Sequence, residues 1–227
     1  MTIQRNPATS LALATAVMAA LSSTGAYAAD AGDWLVRGSV AHVSPNEDTS
    51  NVSGPLSGAL SGSEVKVDSQ TGLGFTGAYF LTDQVAVELL ASAPFKHDLS
   101  ISGGTLGGNE LGSVKHLPPT LSAQYHFDTG TAFRPYVGLG VNYTIFFDEE
   151  VNSDVGARGV NEIDIDNSLG LAGQVGVDYA LGDGWLVNAG VRYLDIQAET
   201  DISAAGSTSV DVDIDPWVSQ AGIGYRF

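Results

Sequence analysis

PWVSQAGIGYRF (residues 216–227) ends the chain with the alternation of a β-strand. Trp217, Ser219, Ala221, Ile223, Tyr225 and Phe227 share one face of an extended segment, and Val218, Gln220, Gly222, Gly224 and Arg226 share the other. One side is therefore apolar with aromatic ends, and the other is small or polar. In water an exposed Tyr-x-Phe end on a strand invites aggregation. In a lipid-facing barrel strand the same rings fit the interfacial girdle.

Working outward from this strand, the same two-residue period recurs over residues 34–43, 65–80, 85–96, 113–127, 134–147, 168–179 and 185 to about 197. Short connections (81–84, 128–132, 180–184) alternate with long ones rich in Gly, Ser and acids (45–63, 97–112, 148–165, 198–209). Aromatics gather at the short-turn ends, at Trp34, Tyr79, Tyr125, Phe127, Tyr179, Trp185, Tyr225 and Phe227. A soluble sandwich supplies alternation, but the paired short and long connections with an aromatic ring at one end predict an all-β, eight-stranded antiparallel up-and-down transmembrane barrel. Its short turns are expected to be periplasmic and its longer loops extracellular.

The start of the chain agrees with this destination. Arg5, the apolar run Leu11–Leu21 and Ala26-Tyr27-Ala28 form the basic, hydrophobic and cleavage regions of a secretory signal peptide over residues 1–28. Residues 29–227 remain as one domain, expected in the outer membrane of a Gram-negative bacterium. Cysteine is absent, so no disulfide framework holds the fold. The formal net charge of -17 excludes nucleic acid as a partner.

Several stretches together resemble the OmpW family, which includes AlkL: VELLASAPF (87–95), HLPPT (116–120), RPYVGLGVNY (134–143), AGQVGVDY (172–179), DPWV (215–218) and GYRF (224–227). The resemblance spans the mature chain and implies the same eight-stranded barrel. It also implies a channel for small hydrophobic molecules across the outer membrane, with bacteriocin reception in some members. Where family members carry a tryptophan near the start of the sixth strand, this chain has Leu169. The terminal strand is similar to the signature that barrel-assembly machinery recognises, which makes that machinery an expected partner beside outer-membrane lipid, lipopolysaccharide and small hydrophobic solutes.

An eight-stranded barrel is only wide enough to be filled by its own side chains. The inward residues divide by height. Arg37, Glu88, Arg134, Asp178, Arg192 and Arg226, with Gln124 and His126, are expected to pair as a polar plug in the lower half, because unpaired buried charges are costly. Leu90, Phe146, Leu194, Ile196, Ile214 and Val218 are expected to form an apolar cup above it. A solute held above a plug leaves sideways. Pro94, Pro118 and Pro119 each remove a ladder N–H at similar heights on adjacent strands, which marks a lateral opening. Packed as plain core, the same residues would suit a non-transporting structural or receptor barrel recognised by bacteriocin, phage or host surfaces.

The acids at Asp195, Glu199, Asp201, Asp211, Asp213 and Asp215 are read as a solvated rim rather than a calcium or magnesium site, since no EF-hand or nonapeptide repeat frames them. Of the four histidines, His97 and His116 are expected to meet near the outer rim. No nucleophile, base and orienting group converge there, so neither an enzyme nor a cofactor is expected.

Overall fold

The computed structural model describes residues 29–46, 48–53, 63–103, 110–152, 162–204 and 206–227. The expected signal peptide lies outside them. Among the described residues the strands are, in chain order, β1 (Trp34–Ser44), β2 (Asp48–Ser53), β3 (Ser63–Val67), β4 (Gln70–Phe80), β5 (Val85–Ser92), β6 (Phe95–Gly103), β7 (Glu110–Leu117) and β8 (Thr120–His126). They continue with β9 (Phe133–Val151), β10 (Glu162–Ile165), β11 (Ser168–Gly182), β12 (Trp185–Leu194), β13 (Gln197–Ala204), β14 (Gly206–Asp213) and β15 (Trp217–Arg226).

Eight of these close a barrel in the order β11-β12-β15-β1-β4-β5-β8-β9, with β9 returning to pair with β11, and every neighbour is antiparallel. The alternation is inside out relative to a water-soluble protein. In β8, Thr120, Ser122, Gln124 and His126 are buried while Leu121, Ala123 and Tyr125 are exposed. Leu139 and Leu169, at 76% and 74% exposure, typify the outer surface. Such a surface is stable only against hydrocarbon, where a closed ladder also satisfies the backbone. Ring pairs Trp34–Tyr79, Trp185–Tyr225 and Tyr125–Phe127 girdle the short-turn end, and Tyr193–Trp217 stands near the other.

The long connections depart from the loops expected of them. They contain β2, most of β6, the start of β7, the last residues of β9, and β10, β13 and β14. Beyond the barrel rim β10-β13-β14-β2 form a four-stranded sheet, and β9-β7-β6-β3 form a second wall. Val, Ile and Thr alternating with Asp, Ser and Glu in these segments suit strands with one wet face. Charge and Gly/Ser content conceal that period in the sequence. Exposed ion pairs Lys115–Asp148 and Lys96–Glu150 on the second wall lie in water, above the lipid band. Three expected continuous strands are also broken: 65–80 at Asp68-Ser69, and 113–127 at Pro118-Pro119 and 85–96 at Ala93-Pro94, the last two because proline cannot donate to a ladder.

The tight curvature of so small a barrel leaves little room on its inner face. A Cβ on Gly222 would lie 2.1 Å from the Gly38 carbonyl oxygen across the β1–β15 seam that closes the ring, and one on Gly140 would lie 2.2 Å from that of Leu121. Both contacts are with backbone, which cannot step aside. Gly222→Val is accordingly expected to prevent closure. The test is electrophoresis of unheated and heated protein: the mobility difference of a folded barrel should be lost in this variant and kept in Ala221→Val, whose side chain faces lipid.

Candidate functional site

The interior has three tiers. The lowest is an apolar floor of Leu35, Ala78, Phe80, Ala86 and Leu186, which sequence reasoning missed because it assigned the inward positions near the short turns to charged and polar side chains. Above it lies a charged layer. Arg37 on β1 donates from Nε and Nη2 to the two carboxylate oxygens of Asp178 on β11, at 3.1 and 2.6 Å, and from Nη1 to Glu88 on β5 at 3.0 Å. Arg192 on β12 donates from Nη2 to Glu88 at 2.7 Å and to Gln174 at 2.8 Å. Gln174 donates to Glu88, and Asn188 to Asp178 and to the Tyr136 hydroxyl. The Arg37 guanidinium lies 5.2 Å over the Tyr136 ring.

Two arginines and two carboxylates, from four strands around the ring, thus meet across the lumen with their side chains at most 6% exposed. Their formal charges cancel. Burying ions in this way is not a net source of stability, but it makes each charge dependent on the others. The layer is not fully satisfied: Arg192 Nε and Nη1 find no partner among the described residues. His126 lies beside this layer, its Nδ1 3.9 Å from Asp178 and its Nε2 3.0 Å from Gln124 Oε1, with its ring stacked on Tyr136. Arg134 and Arg226, expected in the plug, lie lower at the periplasmic mouth, facing Asp128 at 3.9 Å and Asp33 at 3.6 Å. Arg134 stands where β9 meets the short turn that carries Asp128, and Arg226 ends β15 beside Asp33 just before β1, so these carboxylates reach them first.

The third tier is an apolar chamber with a cavity of about 50 Å3. It sits at the barrel mouth between the two extracellular walls. Val67, Leu99, Val114 and Phe146 line it from one wall, and Ile165, Ile196, Val212 and Ile214 from the other. Of the six expected cup residues, Phe146, Ile196 and Ile214 face the cavity, while Leu194 and Val218 pack in the cluster around it. Leu90 is a correction: it lies in the barrel lumen between Thr76 and Thr120, below the strands that build the chamber. Of the missed lining residues, Leu99 and Ile165 fall in segments read as loops, whereas Val67 and Val114 lie in expected strands and Val212 lies after the last expected loop. The alternation in VDVDI (210–214) was the available signal.

His97 and His116 do meet, their rings stacked at 4.9 Å. Phe95 and Phe146 flank His116 at 5.7 and 5.9 Å. His97 Nδ1 donates to the Asp68 carbonyl at 2.5 Å. Burial, with His97 as a second cause, pushes the His116 imidazole down to about 3, so it is neutral at working pH.

The wall beside the chamber has two breaks at similar height. Between Tyr193↔Trp217 and Gln197↔Asp213 the regular ladder lapses, but Leu194 N donates to Pro216 O and Ile214 N to Ile196 O. Asp215, at a positive φ of 36°, adds two more bonds, accepting from the Tyr193 hydroxyl at 2.8 Å and Ile196 N at 3.1 Å. That break is stitched shut. The other lies between Leu90↔Thr120 and Phe95↔His116, at Pro94, Pro118 and Pro119, and no backbone pair bridges it. Its margins are tied away from each other, Ala93 N to Leu73 O and Pro119 O to Tyr143 N. Leu169 points outward and is exposed. At the rim Glu199 stands opposite Asp211, and no group of three metal-ligating side chains occurs among the described residues.

The family model described as OmpW family matches residues 30–227. Outer membrane protein W of Vibrio cholerae serotype O1 is 44% identical over 215 residues, covering 93% of this chain and 96% of that protein. The crystal structure of OprG from Pseudomonas aeruginosa superimposes with a TM-score of 0.82 at 42% identity, covering 88% of this chain and 98% of that one. The solid-state NMR structure of outer membrane protein AlkL in lipid bilayers superimposes with a TM-score of 0.69 at 26% identity, covering 90% and 94%.

The interdependence of the buried charges has a measurable consequence. Arg37→Met strands Asp178 and leaves Glu88 to Arg192 alone, and is expected to destabilise the barrel by about 3–5 kcal/mol in urea unfolding from lipid vesicles. Replacing Arg37 and Asp178 together by Met and Asn, which leaves the Glu88–Arg192 pair in place, is expected to recover much of that loss. A double variant as unstable as the single one would show that the two charges are not coupled.

Proposed function

The chain belongs to the OmpW family, and from that premise, an outer-membrane barrel of a Gram-negative bacterium, we propose that it passes small hydrophobic molecules into the outer membrane. A solute enters the apolar chamber from outside and meets the charged layer, where burial without a polar partner would be unfavourable. It leaves sideways through the gap at Pro94, Pro118 and Pro119 into the lipid. The chamber lies directly above a charge-sealed lumen and beside the break that is not stitched, and this juxtaposition carries the reading.

The non-transporting receptor barrel would need the upper residues packed solid, whereas Phe146 and Ile214 face open volume. The exposed outer face gives lipid as the surrounding partner. Lipopolysaccharide at the extracellular walls and assembly machinery at β15 complete the proposed set of contacts. No nucleophile with a positioned base enters the scheme, and no enzyme activity is proposed.

The chain has no cysteine of its own, so the gap can be bridged cleanly. Cysteines at Ala91 and Leu117, joined by a short bis-methanethiosulfonate, are expected to reduce uptake of a labelled alkane to that of cells lacking the protein. Reduction should restore it. Undiminished uptake through the bridged protein would overturn the lateral route.

A further inference from the structure

We propose that the upper chamber selects neutral, largely apolar molecules that carry one hydrogen-bonding group, and that His116 is the side chain that receives that group. This inference rests on the transport reading and goes further, by setting which hydrophobic molecules are preferred.

His116 is 8% exposed and lines the cavity. Its ring is held by Phe95, His97 and Phe146, yet its nitrogens make no hydrogen bond among the described residues. Buried polar groups are ordinarily paired, and one left open into an apolar cavity favours a ligand that pairs it. Other polar side chains of the chamber are engaged at one atom at least or are more remote. Thr144 donates its hydroxyl to Asn142 at 2.7 Å, His97 serves the Asp68 carbonyl, and Thr200 lies farther out along β13.

The ligand class follows from this chemistry. No Asp, Glu, Lys or Arg lines the cavity, so a carboxylate or ammonium would enter without a counter-charge. A neutral imidazole offers one donor and one acceptor. An alcohol can use either, and a ketone or ester carbonyl accepts from the N–H. The cavity, about 50 Å3, holds on the order of four water-sized positions, enough for the polar end and a few carbons of such a molecule. The remaining chain would lie toward the gap, since Phe95↔His116 is the first backbone pair above it.

The test compares protein-dependent uptake of 2-octanone and octane, matched in chain length, by cells carrying the wild type, His116→Phe or His116→Gln. Phenylalanine keeps the aromatic stack and removes the nitrogens. Glutamine loses the ring but keeps a donor and an acceptor. The wild type is expected to favour 2-octanone over octane by about fivefold relative to His116→Phe, the size of one net hydrogen bond. His116→Gln should retain most of the preference.

A second measurement needs no variant. In protein labelled with 15N-histidine, the ring nitrogens of His116 should shift saturably with 2-octanone and stay unmoved with octane. Equal preference in wild type and His116→Phe, or no shift with the ketone, overturns the inference while leaving transport standing. Absence of protein-dependent uptake of both probes overturns the inference and the transport reading together.

Discussion

Hydrocarbon offers a backbone N–H or C=O no partner, and each one left unpaired there costs several kcal/mol. The closed ring of eight strands answers that constraint, and its closure is tight enough that Gly222 and Gly140 sit against neighbouring backbone. A wall under this pressure has breaks only where something else satisfies its groups or where the hydrocarbon ends. Both breaks here lie near the upper aromatic level, next to Tyr193–Trp217 on one side and Tyr143 on the other. Asp215 spends a left-handed backbone conformation to sew one shut. At the other, three prolines remove the donors that would have needed partners.

The charged layer acts on the same economy from within. Arg37 reaches two carboxylates from two other strands, and Arg192 reaches one of them from a fourth. Removing any member would leave a buried charge without its balance, so the four are coupled. Floor, layer and chamber therefore differ in chemistry as well as height. An apolar solute arriving from above finds a favourable tier and then an unfavourable one. On the proposed route, the solute then turns toward the wall.

Much of this was legible in the sequence. The alternation of TLSAQYH or RPYVGLGVNY identifies inward and outward faces, and the buried charges then had to lie together because the lumen has no room to keep them apart. The prolines of HLPPT and SAPF marked the break correctly as a fault in the ladder. Other features did not show. The extracellular walls look in part like loops because Gly, Ser and acids dilute their period, and the chamber is lined from both of them. Arg134 and Arg226 share the inward face with Arg37, but pairing is settled by the nearest carboxylate, and that depends on turn geometry. Asp215 reads as one more acid of the rim until the register shows the break it bridges.

The account stands on solutes stopping at the charged layer and turning outward. A diazirine-bearing alkane, photolysed with the protein in outer membranes and mapped by mass spectrometry, reports where such a solute dwells. Labelling is predicted at Phe146, Ile196 and Ile214 in the chamber and at Ala91 and Leu117 beside the gap, with none on the floor residues Leu35, Phe80 and Leu186. Strong labelling of that floor would mean that the solute crosses the charges, and would contradict the account.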